Sequence, residues 1–454
     1  MAEPTLFQMA MGLMAAGDLA GAAALGSRRE AHLDAPTLNV AATCYGRLGQ
    51  IDAADSCYRR ALAADISYGP AYSNYGLFLQ GQQRWADAER ILDQAVSVSP
   101  ELAEAHNNLA SLHGRFNRWS EAEAGHREAL RLKPDYPGAR FNLGTLLLAH
   151  GRFDEGWPHY EARRDPRHPD AMATPGLPFP EWRGESLAGK SLLIWYEQGF
   201  GDEIQFARYA PWLKAQGAKT VSLVCKPELG SLFQTLKGVD AVIPAVGSAQ
   251  IEPHDYWSLP LSLPIRCGTE LETILRQVPY LASEDDRRNI WSARLGAGGR
   301  RVGLAWRGST VLKNDINRSL SGLQALLPLW GAAGVQFYSL QKGPGEEEAG
   351  RSNADQPIVA LGQDLTDFAD TAAVIDQLDL VITVDTAVAH LAGALGRPCW
   401  VLLPWSGADW RWLRDREDSP WYPTLRLFRQ GEGEAWDAVV VRVAEALRAE
   451  FAVG

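Results

Sequence analysis

The residues whose types and spacing could support chemistry gather in five short segments. The first, Glu197-Gln198-Gly199-Phe200-Gly201-Asp202-Glu203, follows the apolar run Leu192–Tyr196. Two glycines make a tight turn, and Asp202 stands at the start of a helix. A carboxylate there either caps the helix or takes a proton from a hydroxyl. Taken alone, Asp202 reads first as a helix cap, with Glu197 and Glu203 as the flanking acids. The second, Asp385-Thr386-Ala387-Val388-Ala389-His390, closes the apolar run Leu380–Val384. Asp385 and Thr386 suit a helix N-terminus, and the first free amides, at Thr386 and Ala387, form an anion site. His390 lies one turn further along, on the face of Thr386. The third, Arg307-Gly308-Ser309 with Asn314, Arg318 and Ser319 beyond it, offers cations and hydroxyls to a phosphate. Gln341 and Lys342 follow a fourth apolar run, and Asp409-Trp410-Arg411-Trp412 comes after a fifth. Each alone has a plain structural reading as cap, loop or core. Five such segments at the ends of apolar runs point to one site.

One motif misleads. Gly184-Glu185-Ser186-Leu187-Ala188-Gly189-Lys190-Ser191 spells a P-loop. A P-loop needs a strand before it and a helix after it, so that helix amides cradle the phosphate. Here prolines precede it and an apolar run follows, so a nucleoside triphosphatase is excluded.

The elements that position these segments follow from hydrophobic pattern. Strands are expected at Leu192–Tyr196, Thr220–Cys225 and Ala241–Ile243. A second set is expected at Val302–Trp306, Gln336–Leu340, Ile358–Leu361, Leu380–Val384, Trp400–Leu403 and Leu425–Phe428, with a closing helix from Ala435 to Phe451. Apolar runs alternating with helical patterns imply parallel sheets. Two doubly wound halves, 189–295 and 296–454, place a cleft at the carboxyl ends of their strands. The polar, glycine-containing stretch Leu281–Arg300 reads as a hinge between them. Pro166, Pro169, Pro175, Pro178 and Pro180 mark residues 166–188 as a linker.

Residues 1–165 repeat. Tyr72, Gly76, Leu79, Ala88, Leu92, Ala95 and Pro100 recur 34 positions on as His106, Ala110, His113, Ala122, His126, Ala129 and Pro134. The period and the small–large–small pattern resemble the tetratricopeptide repeat, an α-helical solenoid. Leu6–Ala35 is a degenerate first unit, and Pro158 interrupts the last one. The histidines fall on repeat positions, which favours packing over metal binding. Asn74, Asn108 and Asn142 recur at one position, as expected of side chains lining a concave face that receives a protein acceptor or adaptor.

Composition bounds the partners. The chain has 454 residues, 46% hydrophobic and 22% charged, with a net charge of −11. An acidic chain is a poor sequence-independent nucleic-acid binder. Five cysteines without a C-x-x-C pair, and an N-terminus lacking a signal peptide, lead to the expectation of a reducing, cytoplasmic setting. No membrane span is expected, because the longest apolar stretch carries Asp385, His390 and Arg397.

On these segments the chain resembles known families. Asp385-Thr386 followed by His390-Leu391-Ala392, Ala394-Leu395 and Pro398 is similar to the diphosphate-binding segment of bacterial heptosyltransferases. Gly201-Asp202 resembles their catalytic aspartate loop. The join to tetratricopeptide repeats resembles O-linked N-acetylglucosamine transferases and repeat-bearing flagellin glycosyltransferases. Trp306-Arg307-Gly308, Asn314-Asp315, Arg318-Ser319, Ser339 to Gly343 and Asp409 to Trp412 are similar to the latter. The resemblance implies a GT-B fold of two Rossmann-like domains facing a cleft. It implies an inverting transfer from a nucleotide sugar to an acceptor hydroxyl, with Asp202 as base. The donor would be held by Arg307, Asn314, Arg318, Ser319, Gln341, Lys342, Asp385, Thr386, Ala387 and His390. The nucleotide sugar is a co-substrate; no other cofactor is expected, and no Asp-x-Asp motif calls for a metal. The alternative is a non-catalytic scaffold that binds a nucleotide sugar, or a partner protein through the repeats.

Overall fold

The structure, a computed structural model, describes residues 4–26, 33–168, 170–247, 251–296, 298–309, 315–351 and 356–452. The chain divides into two compact units. One comprises Met1–Leu146 with Asp165–Ala171, the other Leu147–Arg164 with Met172–Gly454.

The first unit is a helical solenoid. First helices begin at Ala35, Gly69, Ala103 and Pro137, and second helices at Ile51, Trp85, Trp119 and Phe153, each 34 residues after the last. Small residues sit where helices touch: a Cβ on Gly76 would lie 2.4 Å from Leu92, and one on Gly125 2.7 Å from Ala110. Large residues fill the remaining space, with Tyr58 and Tyr75 stacked at 5.2 Å. His126 is buried, its Nδ1 3.0 Å from the Asn107 side-chain oxygen, and burial pulls its pKa down to about 4. It is a packing residue of the repeat.

The second unit contains two parallel sheets. The four-stranded sheet has the order β3-β2-β1-β4, with β1 Ser191–Ile194, β2 Thr220–Cys225, β3 Ala241–Pro244 and β4 Tyr256–Ser258. The six-stranded sheet has the order β10-β9-β8-β5-β6-β7, with β5 Arg300–Ala305, β6 Val335–Ser339, β7 Ile358–Ala360, β8 Leu380–Val384, β9 Cys399–Leu403 and β10 Leu425–Arg429. Strands buried on both faces read as continuous apolar runs, and every residue of β8 and β9 is buried. The closing helix Trp436–Phe451 covers one face through Val439, Val443 and Leu447. Strand order reverses at β1 in one sheet and between β5 and β8 in the other. These are the switch points at which α/β sheets open a crevice.

Several expectations need correction. The stretch 281–300 is no hinge. It contains the helix Asp285–Leu295, whose Arg287 reaches Asp367 and Asp370 at 2.7 and 2.8 Å. Its polar face is solvated while Trp291 and Leu295 are buried. Nor is 166–188 one linker. Trp182 donates to the Trp257 carbonyl at 2.7 Å and Trp257 to that of Pro180 at 3.0 Å, so prolines lead an extended segment onto the edge of β4. Strand β4 is too short to have announced itself. The lookalike P-loop opens β1 directly, and Asp255 takes up the Ser191 amide and Lys190.

The last second helix, Phe153–Tyr160, groups by its contacts with the second unit. Its repeat spacing is intact, but its face is aromatic. Trp157 meets Trp410 edge-on at 5.3 Å and donates to the Thr269 carbonyl at 2.8 Å, and Phe153 stacks on Trp421. Trp157→Ala should therefore lower the stability of this unit by about 3–5 kcal/mol, read by chemical denaturation. A loss under about 1 kcal/mol would return the helix to the solenoid.

Candidate functional site

The site is built where strands of both sheets end. After β1 the chain turns at Gly199 into the helix Phe200–Phe206. After β8 it turns into the helix Ala387–Ala394, with Thr386 as N-cap and its Oγ1 accepting from the Val388 amide at 3.3 Å. These two helices touch. A Cβ on Gly201 would lie 2.7 Å from the His390 ring and 3.6 Å from the Ala387 Cα. Glycine is required by this approach, and it brings Asp202 to the start of the Ala387 helix.

Asp202 makes two contacts. From the third position of its helix, its Oδ2 reaches back to accept from the Gly199 N-cap amide at 2.9 Å. Its Oδ1 accepts from Arg411 Nη2 at 2.6 Å, with the two side chains 13% and 8% exposed. Arg411 comes from the turn Trp410–Trp412, capped by Asp409, whose carboxylate also lies 3.2 Å from Arg411 Nη1. Burial alone would depress the Arg411 pKa, but the carboxylates of Asp409, Asp202 and Asp385 and the Tyr160 hydroxyl hold it above the usual arginine value.

Asp385 is buried at the end of β8. Burial raises its pKa to about 6, as does the Asp409 carboxylate, against the pull of Arg318 and Arg411. His390 is buried too, its Nδ1 3.0 Å from the Tyr422 hydroxyl and its ring stacked on Trp412 at 5.2 Å. Burial and the charges of Arg411, Arg208 and Arg318 push its pKa well down, so the imidazole is neutral. Gly393 passes Tyr422 so closely that a Cβ would lie 2.4 Å from the ring. Ser319 fixes the neighbouring loop: its Oγ donates to Asp315 at 2.8 Å and accepts from the Gly308 amide at 2.9 Å. Arg318 pairs with the same Asp315 at 3.3 Å.

Asp202, Arg318, Ser319, Asp385, Thr386, Ala387 and His390 thus share one region. Other expected donor residues are engaged by neighbouring protein groups. Gln341 is buried; its Oε1 accepts from the amides of Trp306 and Arg307, each at 2.9 Å, and its Nε2 donates to the carbonyls of Arg307 and Pro344. It locks the ends of β5 and β6 together. Arg307 is turned to Glu348, at 3.2 Å, and to the Ser321 carbonyl. Lys342 is held by the Gly362 carbonyl at 2.7 Å and by Glu346. Asn314 lies outside the described residues. In the repeat unit, Asn74 donates to Asn39 at 3.1 Å, Asn108 to Ser73 at 3.0 Å and Asn142 to Asn107 at 3.1 Å. They form a ladder between successive repeats, half-buried.

The flanking acids are spoken for. Glu197 is 1% exposed and paired with Arg163 at 2.8 Å; Glu203 is paired with Lys226 at 2.5 Å. Arg411 is the residue that sequence reasoning passed over within a segment it had marked. Its partner acid is 209 positions away. Arg208 was also missed. It is buried between the two halves, donating to the carbonyls of Leu275 at 2.9 Å and Trp421 at 2.7 Å, with its guanidinium 4.4 Å from the centre of the Tyr422 ring. Among the described residues, no three His, Cys, Asp or Glu side chains gather as metal ligands. Among the same residues, no helix is long and apolar enough to cross a membrane.

The chain combines a helical repeat array with a doubly wound α/β unit that carries a capped helix at its switch point. Comparison with known proteins gives its class, a repeat-bearing glycosyltransferase. Residues 35–65, 68–135 and 109–169 match the tetratricopeptide repeat, and residues 328–402 match glycosyltransferase family 9 (heptosyltransferase). The chain is 30% identical over 417 residues to protein FlbA of Caulobacter vibrioides, an alignment covering 86% of this chain and 69% of that protein. It belongs to the same family, tetratricopeptide repeats fused to a family 9 glycosyltransferase domain. Solved structures similar to this chain include Pseudomonas aeruginosa PilF, 21% identical, covering 35% of this chain and 72% of that one with a TM-score of 0.31. Another is a tetratricopeptide-repeat protein of Thermus thermophilus, 25% identical, covering 34% of this chain and 87% of that one, also with a TM-score of 0.31.

Two measurements test this geometry. Gly201→Ala should cost about 1–3 kcal/mol, because the ring it meets is fixed by Tyr422 and Trp412 and cannot swing aside. A neutral effect would mean that the helices are further apart. For Asp385, the pKa is raised on folding, so its contribution favours the fold below the unfolded value near 3.8 and is lost as pH rises through about 6. Denaturation midpoints of Asp385→Asn should therefore gain on wild type between pH 4 and pH 6 and run parallel outside that window. A constant difference across the window would refute the raised value.

Proposed function

We propose that this glycosyltransferase moves a sugar, with inversion and without a bound metal, from a nucleotide sugar to a hydroxyl of a protein held by the repeats. The observation that carries this reading is the contact of the Gly201-Asp202 turn with the start of the Ala387–Ala394 helix. It sets a carboxylate beside an anion-binding helix terminus.

The donor phosphate sits at the Thr386 and Ala387 amides, with Arg318 and Arg411 in the same charged cluster. His390, kept neutral, packs the helix against Trp412 and adds no charge. Asp202 takes the acceptor's proton as the acceptor oxygen attacks the anomeric carbon on the side opposite the phosphate. The bond from the anomeric carbon to the phosphate oxygen breaks, and the helix amides and arginines stabilise the charge that appears there. With this stabilisation supplied by fixed protein groups, the reaction needs one base and no metal. The repeats hold the acceptor, with Asn74, Asn108 and Asn142 on the binding ladder.

Asp202→Asn should leave the helix start in place, since the Asn side-chain oxygen can still accept from the Gly199 amide. It should cut sugar transfer by at least ~100-fold, the low end of what a positioned base contributes. Transfer at the wild-type rate would sink the assignment, and the paired Glu197 and Glu203 are no substitutes. In the repeats, Asn108→Ala should weaken transfer to the protein acceptor while donor hydrolysis stays unchanged. A parallel fall in hydrolysis would refute the division of labour.

A further inference from the structure

The carboxylate assigned as base is engaged by the protein's own groups. Oδ2 accepts from the Gly199 amide and Oδ1 from the Arg411 guanidinium, so each oxygen already holds one protein donor. Arg411 is correspondingly overcommitted. It faces three carboxylates, Asp409, Asp202 and Asp385, yet spends one N–H on Asp202. Its Nε has no hydrogen-bond partner among the described residues although the side chain is more than nine-tenths buried. Its turn is held independently of Asp202, through the Asp409 cap and the packing of Trp410 on Trp157 and Tyr160. Breaking the Asp202 contact therefore leaves the turn anchored.

We propose that Arg411 is exchanged between Asp202 and the donor phosphate, so that donor binding releases the base. This rests on the donor site and base assigned above. An incoming phosphate oxygen at the start of the Ala387 helix replaces Asp202 Oδ1 as the acceptor of Arg411 Nη2, a charge-for-charge swap. The freed Oδ1 then accepts the acceptor's O–H. The proton passes to Oδ1 as the acceptor oxygen bonds to the anomeric carbon. The electron pair of the breaking bond goes to the phosphate oxygen, which Arg411 now faces. Water removes the proton from Asp202 when the products leave. The exchange makes binding ordered, donor before acceptor.

The exchange makes an unusual prediction for calorimetry on the full chain: loss of the base should tighten donor-side binding. UDP, GDP and CMP are titrated, and the tightest binder is kept as probe. Asp202→Asn should bind it at least about threefold more tightly, because Arg411 is no longer held back. Arg411→Gln should bind it about ten- to a hundredfold more weakly, the value of a charge-assisted phosphate contact. The decisive measurement is the double variant: in the Arg411→Gln background, Asp202→Asn should change affinity by less than about twofold. Equal tightening in both backgrounds would mean simple relief of charge repulsion and would overturn the exchange. So would unchanged affinity in Arg411→Gln. If Arg411→Gln fails to fold by circular dichroism, Arg411→Lys replaces it, with a smaller coupling of the same sign expected and its absence counting against the exchange. Failure of all three nucleotides to bind wild type would instead sink the donor site, and with it the reading on which the exchange stands.

Discussion

The ion pair between Asp202 and Arg411 is the interaction around which the catalytic unit is arranged. It joins the first turn after β1 to the loop beyond β9, so it exists only when both sheets present their carboxyl ends to each other. Moving a guanidinium and a carboxylate out of water is costly unless each finds further partners. Here Asp409 supplies a second acceptor to the arginine and the Gly199 amide a second donor to the aspartate. Asp385 lies buried in the same cluster, its pKa raised first by burial and then by the Asp409 carboxylate.

Close backbone approach makes this charge arrangement possible. Gly201 against His390 and Gly393 against Tyr422 are positions where one methyl group would force neighbours apart. The uncharged partner in the middle is His390, wedged between Trp412 and Tyr422 with its ring nitrogen satisfied by a phenol. Arg208 performs the complementary task beneath the site. Its guanidinium gathers carbonyls from Gln205, Leu275 and Trp421 and lies over three aromatic rings, so the charge is buried with its donors used. The joint between the two halves is thus packed with aromatic surface and paired cations rather than left as a flexible link.

The segment Phe153–Arg164 shows how a repeat has been recruited into an enzyme. By spacing it is the second helix of a tetratricopeptide unit, and Gly156 still sits tightly against Leu148. By composition it is something else: Phe153, Trp157 and Tyr160 pack on Trp410 and Trp421, and Arg163 enters a buried pair with Glu197 just after β1. Pro158 and the following 3-10 turn at Glu161–Arg164 end the helix early. The chain then turns toward β4, where Arg164 meets Glu181. The wall behind Arg411 is therefore made by residues that sequence periodicity alone assigns to the solenoid.

What the sequence determined is what local periodicity can encode. The 34-residue spacing marked the helical repeats, apolar runs placed nine of the ten strands to within a residue or two at their ends, and the glycine turns and the Asp385-Thr386 cap marked strand ends where a site would lie. These features depend on neighbours a few residues apart. The tertiary structure decided the rest, because pairing across 209 residues depends on which loops return to the same edge. It gave Asp202 its arginine and used both ends of the Gln341 amide to tie two loops together. It spent Arg307 on Glu348 and buried Glu197 against Arg163. A polar residue at a strand end looks the same in sequence whether its hydrogen bonds will be made to a substrate or to the protein; only the fold, by supplying or withholding the partner, settles which.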